Sequence, residues 1–244
     1  MRVALVTGGA TGIGAATVQS LAAEKNSVAL QYSSSQEEAK QLAEQLNGQG
    51  FKVEIFQADL SQKDSADKLV ASVKAKLGEI DILINNAGLM SDASIIEMSD
   101  ELWDQALNIN LTAAFKLIRA CAPSMVSKKW GRIINISSQV ALVGSANHAH
   151  YAAAKAGLLG LTYSAAKEYG ASGVTVNAVL PGRIETKMIA DRSVGRLDEW
   201  LSQTPLNRLG RPDEVASMIN FLASDASSYI TGAAINVNGG LVMG

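Results

Sequence analysis

Several residue types and patterns are scarce in this chain of 244 residues, and each scarcity excludes a class of protein. A single cysteine, Cys121, cannot form an intramolecular disulfide, which argues against a disulfide-stapled fold and favours a cytoplasmic location. No apolar run approaches the roughly 18 residues of a membrane span, and the apolar residues 1–6 enter a glycine turn at once, so no targeting segment is expected. The net charge is −2 without a basic cluster, which argues against nucleic acid or anionic lipid as a partner.

The chain instead alternates short apolar runs with helical patterns. Of its residues, 48% are apolar, and no linker or repeat divides them, so a single domain over residues 1–244 is expected. This alternation predicts an α/β fold, a doubly wound Rossmann-type parallel sheet of about seven strands with helices on both faces. The runs predict strands at residues 2–7, 28–32, 52–58, 80–84, 131–136, 174–180 and 233–237.

Local signals also suggest where several helices begin. Ser35 with Glu38, and Ser61 with Asp64, have the spacing that is typical of helix-capping pairs. The first helical pattern covers residues 15–24, and a much longer one covers residues 99–127.

The first predicted strand runs into a glycine-rich turn. Gly8, Gly12 and Gly14 would let the backbone approach a pyrophosphate, whose charge the following helix N-terminus would meet. The spacing is GxxxGxG rather than GxGxxG, so an ordinary tight turn explains the motif by itself equally well.

The ends of the second and third strands bear on which dinucleotide would bind. Tyr32, Ser33 and Ser34 offer no carboxylate for a ribose 2′-hydroxyl, and the serines could bond a 2′-phosphate, although they also suit a solvated turn. Thr11 occupies the place of the basic residue that often secures this phosphate. The pattern favours NADP(H), with NAD(H) still possible. Asp59 suits either an adenine contact or an unliganded helix entry.

Polar residues follow the fourth and fifth strands. Asn86 and Gly88 belong to an Asn-Asn-Ala-Gly turn that suits either a structural or a cofactor-facing role. Ser137 and Ser138 end the fifth strand, where an open parallel sheet binds its ligands. Asn110 lies within a helical pattern, and it could disturb the helix and hold a water, or its side chain could lie at the surface or bond back to the helix backbone.

Two Tyr-x-x-x-Lys pairs, Tyr151 with Lys155 and Tyr163 with Lys167, lie on the same predicted helix. In either pair the ammonium shares a helical face with the phenol and favours the phenolate. Tyr151 starts the helix beside the strand ends, whereas Tyr163 lies about 18 Å further along its axis. We therefore predict a catalytic role for the first pair and a packing or interface role for the second.

Together these motifs resemble the short-chain dehydrogenase/reductase superfamily over the whole chain. The length, the Tyr151–Gly157 segment and the C-terminal glycines are most similar to 3-oxoacyl-[acyl-carrier-protein] reductases. The residues that carry the family resemblance are Thr7, Gly8, Gly12, Gly14, Asn85 to Gly88, Asn110, Ser138, Tyr151, Lys155, Pro181 and Gly182.

The resemblance implies hydride transfer between a nicotinamide and a carbonyl or secondary alcohol. Tyr151 would exchange the proton, Lys155 would support it, Ser138 would donate to the substrate oxygen, and Asn110 would hold a water. No metal is implied. The implied cofactor-binding residues are Gly8, Thr11, Gly12, Ile13, Gly14, Tyr32, Ser33, Asp59, Leu60, Asn86, Ala87, Gly88, Tyr151, Lys155, Pro181, Gly182, Ile184 and Thr186.

The substrate follows less directly from the resemblance. Residues 187–205 are interpreted as a mobile substrate lid, with a plain surface helix as the alternative. Lys128, Lys129 and Arg132 match the first basic site by which these reductases hold acyl-carrier protein, whereas Ala171 and Ser172 leave the second uncharged, and Ser91 replaces a usual arginine. His148 and His150 flank the approach to Tyr151, either as substrate contacts or as loop residues.

The leading hypothesis is an NADPH-dependent reductase of a 3-oxoacyl thioester, carried on acyl-carrier protein or coenzyme A, and a homotetramer as in the family. One alternative is a dehydrogenase of another small ketone, sugar or alcohol. The other is a dinucleotide-binding sensor without turnover, which the complete set of Asn110, Ser138, Tyr151 and Lys155 disfavours.

Overall fold

A computed structural model describes residues 1–193 and 195–243, with the backbone alone for residues 191–193. It contains one seven-stranded sheet in the order β3-β2-β1-β4-β5-β6-β7, and every neighbouring pair of strands is parallel. The predicted single-domain Rossmann-type fold is confirmed. The strands are β1 Val3–Val6, β2 Ser27–Tyr32, β3 Lys52–Gln57, β4 Ile82–Asn85, β5 Gly131–Ile136, β6 Val174–Pro181 and β7 Ala234–Val237.

Helices connect the strands and cover both faces of the sheet. They are α1 Gly12–Ala23, α2 Gln36–Gly48, α3 Ser65–Leu77, α4 Asp100–Leu107, α5 Ala113–Lys128, α6 Val140–Val143, α7 Ala149–Tyr169, α8 Lys187–Ser193, α9 Leu197–Ser202 and α10 Pro212–Ala223.

The side chains of β1 show why both faces must be covered. Ala4 and Val6 pack into one core layer with α1, α2 and α10, whereas Val3 and Leu5 pack into the other with α3, α5 and α7. Successive strand residues point to opposite faces, so a parallel strand covered on both sides is apolar throughout. This is why the strands were visible in the sequence as short continuous apolar runs.

The structure corrects the predicted helix starts. The first helix begins at Gly12 rather than at residue 15, so the glycine turn forms its first turn. The Ser35 side chain makes no cap hydrogen bond. Ser61 instead donates to Asp59 at 2.7 Å, and α3 starts only after Asp64, which has a positive φ of 62°. Both predicted capping boxes are therefore wrong, because other local bonds and backbone conformations replace them.

The long helix predicted over residues 99–127 is interrupted. A π-helical turn, Asn108–Thr112, separates α4 from α5, and the Ser99 hydroxyl caps α4 by accepting a hydrogen bond from Leu102 N. Such a turn widens the helix by one residue and is frequent at functional sites. The predicted disturbance around Asn110 is therefore present in the backbone.

A cluster of side chains at the amino ends of β1 and β5 contains Arg132, one of the three basic residues that were predicted to hold acyl-carrier protein. The Arg132 side chain is only 4% exposed, bonds to the carbonyl of Ser224 and lies 4.5 Å from the Trp130 ring centroid. Lys128 is paired with Asp81 at 2.7 Å. The prediction that Arg132 is available to an acidic carrier is wrong, because its guanidinium is buried in this cluster.

Two further expectations concern the single cysteine and membrane-spanning helices. Cys121 is buried on α5, and burial raises the pKa of its thiol to about 12, which keeps the thiol neutral. Within the described parts of the chain, no helix has both the length and the apolar character that a membrane span requires.

Candidate active site

A cavity of about 510 Å³ opens at the carboxyl ends of the central strands. The strand order reverses between β1 and β4, which is the point where doubly wound sheets bind ligands. The ends of β4, β5 and β6 meet there with the glycine turn, the start of α7 and part of the segment 187–205. Its lining includes Gly8, Thr11, Gly12, Ile13, Gly14, Asn86, Ala87, Gly88, Ser138, Tyr151, Lys155, Pro181, Gly182, Ile184 and Thr186.

The glycine turn is fixed by side chains from neighbouring strands. Gln31 accepts from Gly8 N at 2.8 Å and donates to the carbonyl of Ala58, so it ties the turn to the loop after β3. Asn86 donates to the carbonyls of Thr7 and Gly8. The turn and the end of β4 therefore form one rigid unit.

The backbone of this turn forms a concave surface that side chains would fill. Gly8 and Gly12 have φ angles of +60° and +54°, which only glycine adopts readily. A Cβ on Gly14 would lie 2.0 Å from the Gly8 carbonyl oxygen, and one on Gly12 would lie 3.0 Å from Thr186 Cγ2. Bare backbone at the N-terminus of α1 suits the pyrophosphate of a dinucleotide.

Tyr151 and Lys155 lie in the first two turns of α7, both largely buried. Lys155 Nζ donates to the carbonyl of Ile136 at 2.8 Å and lies 5.5 Å from the centroid of the Tyr151 ring. Burial lowers the pKa of Lys155 from 10.5 to about 8, because the low-dielectric interior disfavours the ammonium. The phenol thus has beside it a cation that can lose its charge near neutral pH.

The two serines after β5 differ in their bonding. The Ser137 hydroxyl is buried and donates to the carbonyl of Lys155 at 2.8 Å, so it supports the backbone of α7. Ser138 is less buried, and its Oγ accepts only a long hydrogen bond of 3.4 Å from Val140 N. The geometry therefore leaves Ser138 better suited than Ser137 to donate to a ligand.

Asn110 lies behind the cavity rather than in its wall. Its amide donates to the carbonyls of Leu89 and Ala106, and its Oδ1 accepts from Leu89 N. A Cβ on Gly88 would lie 2.7 Å from that Oδ1 and 3.4 Å from Lys155 Nζ, so the three residues are close-packed. The side chain of Asn110 fixes the loop after β4 next to the Lys155 ammonium.

Four predicted cofactor residues lie outside the cavity. Tyr32 and Leu60 are buried in the core, Ser33 is exposed after β2, and Asp59 bonds to Ser61 and Gln62. Tyr163 does not line the cavity either. It is 41% exposed on α7, so it is not packed in the core, and an interface role for it stays a prediction.

The wall beyond Tyr151 carries one connected polar group. His148 Nε2 lies 2.8 Å from Asp92 Oδ1, and His148 Nδ1 lies 3.0 Å from Ser145 Oγ. All three residues line the cavity. The neighbouring His150 is buried with Nε2 3.2 Å from Ser91 Oγ, and burial is the main reason why its pKa is lowered.

A second polar group borders residues 187–205. Arg183 follows β6, donates to the carbonyl of Trp200 and to Gln203, and lies 5.0 Å from the Trp200 ring centroid. Arg196 lies 5.3 Å from the same ring. Lys187 crosses to Glu38 on α2 at 2.9 Å. Residues 187–205 thus form two short helices over the cavity, and Val194 lies outside the described residues.

Several residues that shape the site were not predicted from the sequence. Gln31 could have been found from the sequence, because a glutamine in a strand that is otherwise largely apolar needs a hydrogen-bond partner inside the protein. No sequence pattern identified Asp92, Ser145 or Arg183, because loop residues gain their neighbours only when distant segments of the chain meet.

Comparison with known proteins gives consistent matches along nearly the full chain. A sequence model of the family described as enoyl-(acyl carrier protein) reductase matches residues 8–242. The 3-oxoacyl-[acyl-carrier-protein] reductase of Thermotoga maritima is 40% identical over 242 residues, which cover 99% of this chain and 98% of that protein. The protein of the same name from Staphylococcus aureus strain Mu50 is 40% identical over 240 residues, 98% of each chain. Nodulation protein G of Azospirillum brasilense is 39% identical over 240 residues, also 98% of each.

Proposed function

We propose that this chain, which belongs to the short-chain dehydrogenase/reductase family, reduces the ketone of a 3-oxoacyl thioester with NADPH. Membership of the family makes it an oxidoreductase that acts on CH–OH and C=O groups with a nicotinamide cofactor. The substrate and the choice of NADPH are the proposal. They rest on the cavity described above and on relatives that are named as 3-oxoacyl-[acyl-carrier-protein] reductases.

One observation carries the proposal: Tyr151, Lys155 and Ser138 line the same cavity as a glycine turn that leaves no room for side chains. A proton donor and a dinucleotide cradle in one cavity are what carbonyl reduction requires. A binding module without turnover would not require a buried lysine behind the tyrosine.

The dinucleotide would be held along the carboxyl ends of the strands. Gly8, Gly12 and Gly14 would receive the pyrophosphate on bare backbone, and Thr186 would contact the nicotinamide end. Bound NADPH supplies the hydride that reduces the carbonyl carbon.

The protein's own residues manage the proton and the substrate oxygen. Ser138 would donate a hydrogen bond to the carbonyl oxygen and hold it beside Tyr151. The Tyr151 hydroxyl would transfer its proton to that oxygen as negative charge develops there. Lys155 and the positive N-terminal end of α7 would stabilise the resulting phenolate. Asn110 would hold the adjoining loop in place and, through a water, connect Lys155 to solvent.

A preference for NADPH is supported by the end of β2. Ser33 and Ser34 follow Tyr32, are exposed, and offer hydroxyls without a carboxylate that would repel a 2′-phosphate. Tyr32, Asp59 and Leu60 would then support the adenosine end of the cofactor from outside the cavity.

The carrier of the acyl group is the least constrained part of the proposal. Lys129 is exposed at the end of α5 and Ser172 is in the turn before β6, so the corresponding surface offers one available positive charge beside an uncharged residue. Because this surface is weakly basic, we expect coenzyme A thioesters to be accepted alongside acyl-carrier protein.

The lid and the cellular setting belong to the same proposal. Residues 187–205 would close over the bound substrate, and Thr186, which precedes them, already faces Gly12 across the cofactor groove. The free buried thiol of Cys121 fits a reducing cytoplasm.

The test is the oxidation of NADPH and of NADH by acetoacetyl-CoA, for the wild type and for Tyr151→Phe. We expect NADPH-dependent turnover that falls at least about 100-fold in Tyr151→Phe, because the proton donor is lost while the ring remains. Tyr163→Phe is the matched control, since it removes the same hydroxyl from the second Tyr-x-x-x-Lys pair. It should retain wild-type turnover.

Other outcomes separate the parts of the proposal. Turnover of simple ketones but not of the thioester would exclude the substrate class. A preference for NADH would exclude the cofactor assignment, and equal loss in both tyrosine variants would exclude Tyr151 as the specific proton donor.

A further inference from the structure

The end of the cofactor groove that would receive a 2′-phosphate has no basic residue in the neighbouring stretches of sequence. Thr11 occupies the place of the basic residue that often secures this phosphate, and the first lysine after β2 is Lys40. Lys40 lies on α2 and pairs with Glu37 of the same helix at 3.2 Å. A cation for the 2′-phosphate would therefore have to come from a distant segment of the chain.

Lys187 reaches this end of the groove from the opposite side. It lines the cavity, and its neighbour Thr186 lies against the glycine turn, with Cγ2 3.0 Å from the place of a Cβ on Gly12. The Lys187 side chain crosses from there to α2, where its Nζ donates to Glu38 Oε1 at 2.9 Å. Glu38 is in the first turn of α2, shortly after the exposed residues 33–34. The ammonium is thus held close to the end of β2.

We propose that Lys187 is a specificity-determining residue that binds the 2′-phosphate of NADPH, while Glu38 holds its ammonium at the groove. The inference rests on the proposed function, because only a cofactor with a 2′-phosphate offers this contact. Lys187 supplies the positive charge that Thr11 and the serines after β2 lack.

The Lys187 ammonium can bind a ligand without leaving Glu38. An ammonium has three N–H donors, and Glu38 accepts from one of them. The Lys187 side chain is 81% exposed, and ion pairs at such exposure are weak, so a small movement towards a phosphate costs little. Hydrogen bonds from a cation to a phosphate are among the strong ones in proteins.

Glu38 gives Lys187 a second effect on the choice of cofactor. The hydrogen bond from Lys187 is the largest cause of the lowered pKa of Glu38, so this carboxylate is ionised at neutral pH. Without Lys187, the carboxylate would repel a 2′-phosphate, whereas NADH has only a hydroxyl there. Lys187 therefore attracts the phosphate and also neutralises a group that would disfavour it.

A purely structural ion pair would have a different effect on binding. It would fasten residues 187–205 to α2, and its loss would weaken NADPH and NADH alike. The ratio of the NADH dissociation constant to the NADPH dissociation constant therefore separates the two roles.

The experiment measures both dissociation constants for the whole chain by nicotinamide fluorescence, in the absence of substrate. We expect Lys187→Met to weaken NADPH binding about tenfold, the effect of one charge-assisted hydrogen bond, and NADH binding by less than about twofold. Lys187→Arg should retain most of the affinity for NADPH, because it keeps the charge. Displacement of NADPH by adenosine 2′,5′-bisphosphate should weaken in Lys187→Met, whereas displacement by 5′-AMP should not.

Two further variants test the part played by the carboxylate and by charge at a distance. Glu38→Gln keeps an oxygen that can accept from Lys187 but removes the negative charge, so it should tighten NADPH binding and restore part of the affinity lost in Lys187→Met. Lys40→Met is the matched control, since it removes the same charge from an exposed pair on α2 and does not line the cavity. It should leave the ratio unchanged.

The possible failures are distinguishable. If the wild type prefers NADPH but Lys187→Met weakens both cofactors equally or neither, the role of Lys187 is overturned and the proposed function stands. An equal fall of the ratio in Lys40→Met would also overturn it, because the effect would then be long-range. If the wild type binds NADH as tightly as NADPH, both this inference and the proposed cofactor are overturned.

Discussion

Gly14 occupies a position where a side chain has no room. A Cβ there would come within 2.0 Å of a backbone oxygen, that of Gly8, so the turn itself would have to move. Displacement of backbone costs more than rearrangement of a flexible side chain, because the hydrogen bonds of Gly8 to Gln31 and Asn86 would be strained with it.

Gly14→Ala should therefore weaken NADPH binding at least tenfold and lower the free energy of unfolding by about 1–3 kcal/mol. Cofactor fluorescence and urea unfolding would measure the two effects. Gly48→Ala is the control, because nothing lies within 4 Å of a Cβ at that exposed end of α2, and it should be neutral or slightly stabilising. Wild-type cofactor affinity in Gly14→Ala would show that the turn does not need bare backbone.

Lys155 makes the reaction sensitive to alkaline pH. Because burial lowers its pKa to about 8, the ammonium predominates below that pH and the neutral amine above it. Only the ammonium stabilises the phenolate of Tyr151, so kcat/KM for ketone reduction should fall above about pH 8, approaching tenfold per pH unit. A pH–rate profile from pH 6 to 10 measures this.

Lys167→Met serves as the comparison for that profile, since it removes the lysine of the second pair and should leave the alkaline limb unchanged. A wild-type profile that stayed flat to pH 10 would contradict the assigned role of Lys155.

At the scale of elements, Asp225 joins three segments at the amino edge of the sheet. Its carboxylate accepts from Arg2 before β1 at 2.8 Å and from Trp130 before β5 at 3.1 Å, and it lies 3.5 Å from the buried Arg132. Hydrogen bonding to Arg2 is the largest cause of the lowered pKa of Asp225. The stabilisation from this cluster is therefore present above about pH 3.8, the usual value, and is lost as the pH falls through the lowered pKa.

Asp225→Asn should lower the free energy of unfolding by about 1 kcal/mol at pH 7, because the buried Arg132 loses its carboxylate partner. The effect is moderate since the Asp225 side chain is 66% exposed and water screens the charge. Urea unfolding measures it. Asp213→Asn is the matched control, as its pair with Arg211 is exposed on both sides, and its loss should cost less. Equal effects of the two variants on the free energy of unfolding would show that the burial of Arg132 adds nothing to the stability that its carboxylate partner provides.

At the scale of the whole molecule, exposed aromatic side chains occur on several helices and near β7. Phe115 on α5 and Tyr163 on α7 are 45% and 41% exposed, and Trp103 on α4, Phe221 on α10 and Tyr229 near β7 are exposed as well. A tetramer with three twofold axes would bury such side chains in self-complementary contacts. We therefore retain the homotetramer as a proposal for the assembly.

Sedimentation should then give roughly four times the 25.6 kDa of one chain. Phe115→Arg should break only the surface formed by α5 and α7 and produce dimers, since it places a charge in an apolar contact. Glu44→Arg, on the exposed face of α2, should remain tetrameric. A monomeric wild type would exclude the proposal.

The strands could be predicted because a parallel strand buried on both faces must be apolar along its whole length. Each predicted strand overlaps the observed one, and their ends differ by no more than two residues. The capping boxes predicted at Ser35 and Ser61 are wrong, because a serine hydroxyl has several local partners of similar energy, and only the folded backbone selects among them.

The sequence by itself determined the order of strands and helices along the chain and the position of the glycine turn, and it predicts that Tyr151 rather than Tyr163 is catalytic. These depend on periodicity and on distance along one helix, which are local properties of the chain. Only the tertiary structure decided that Arg132 is buried, that Tyr32 and Leu60 lie outside the cavity, and that Asp92 meets His148. The reason is physical, since burial and hydrogen bonding between distant segments depend on how loops pack after the sheet has formed, and no local pattern encodes them.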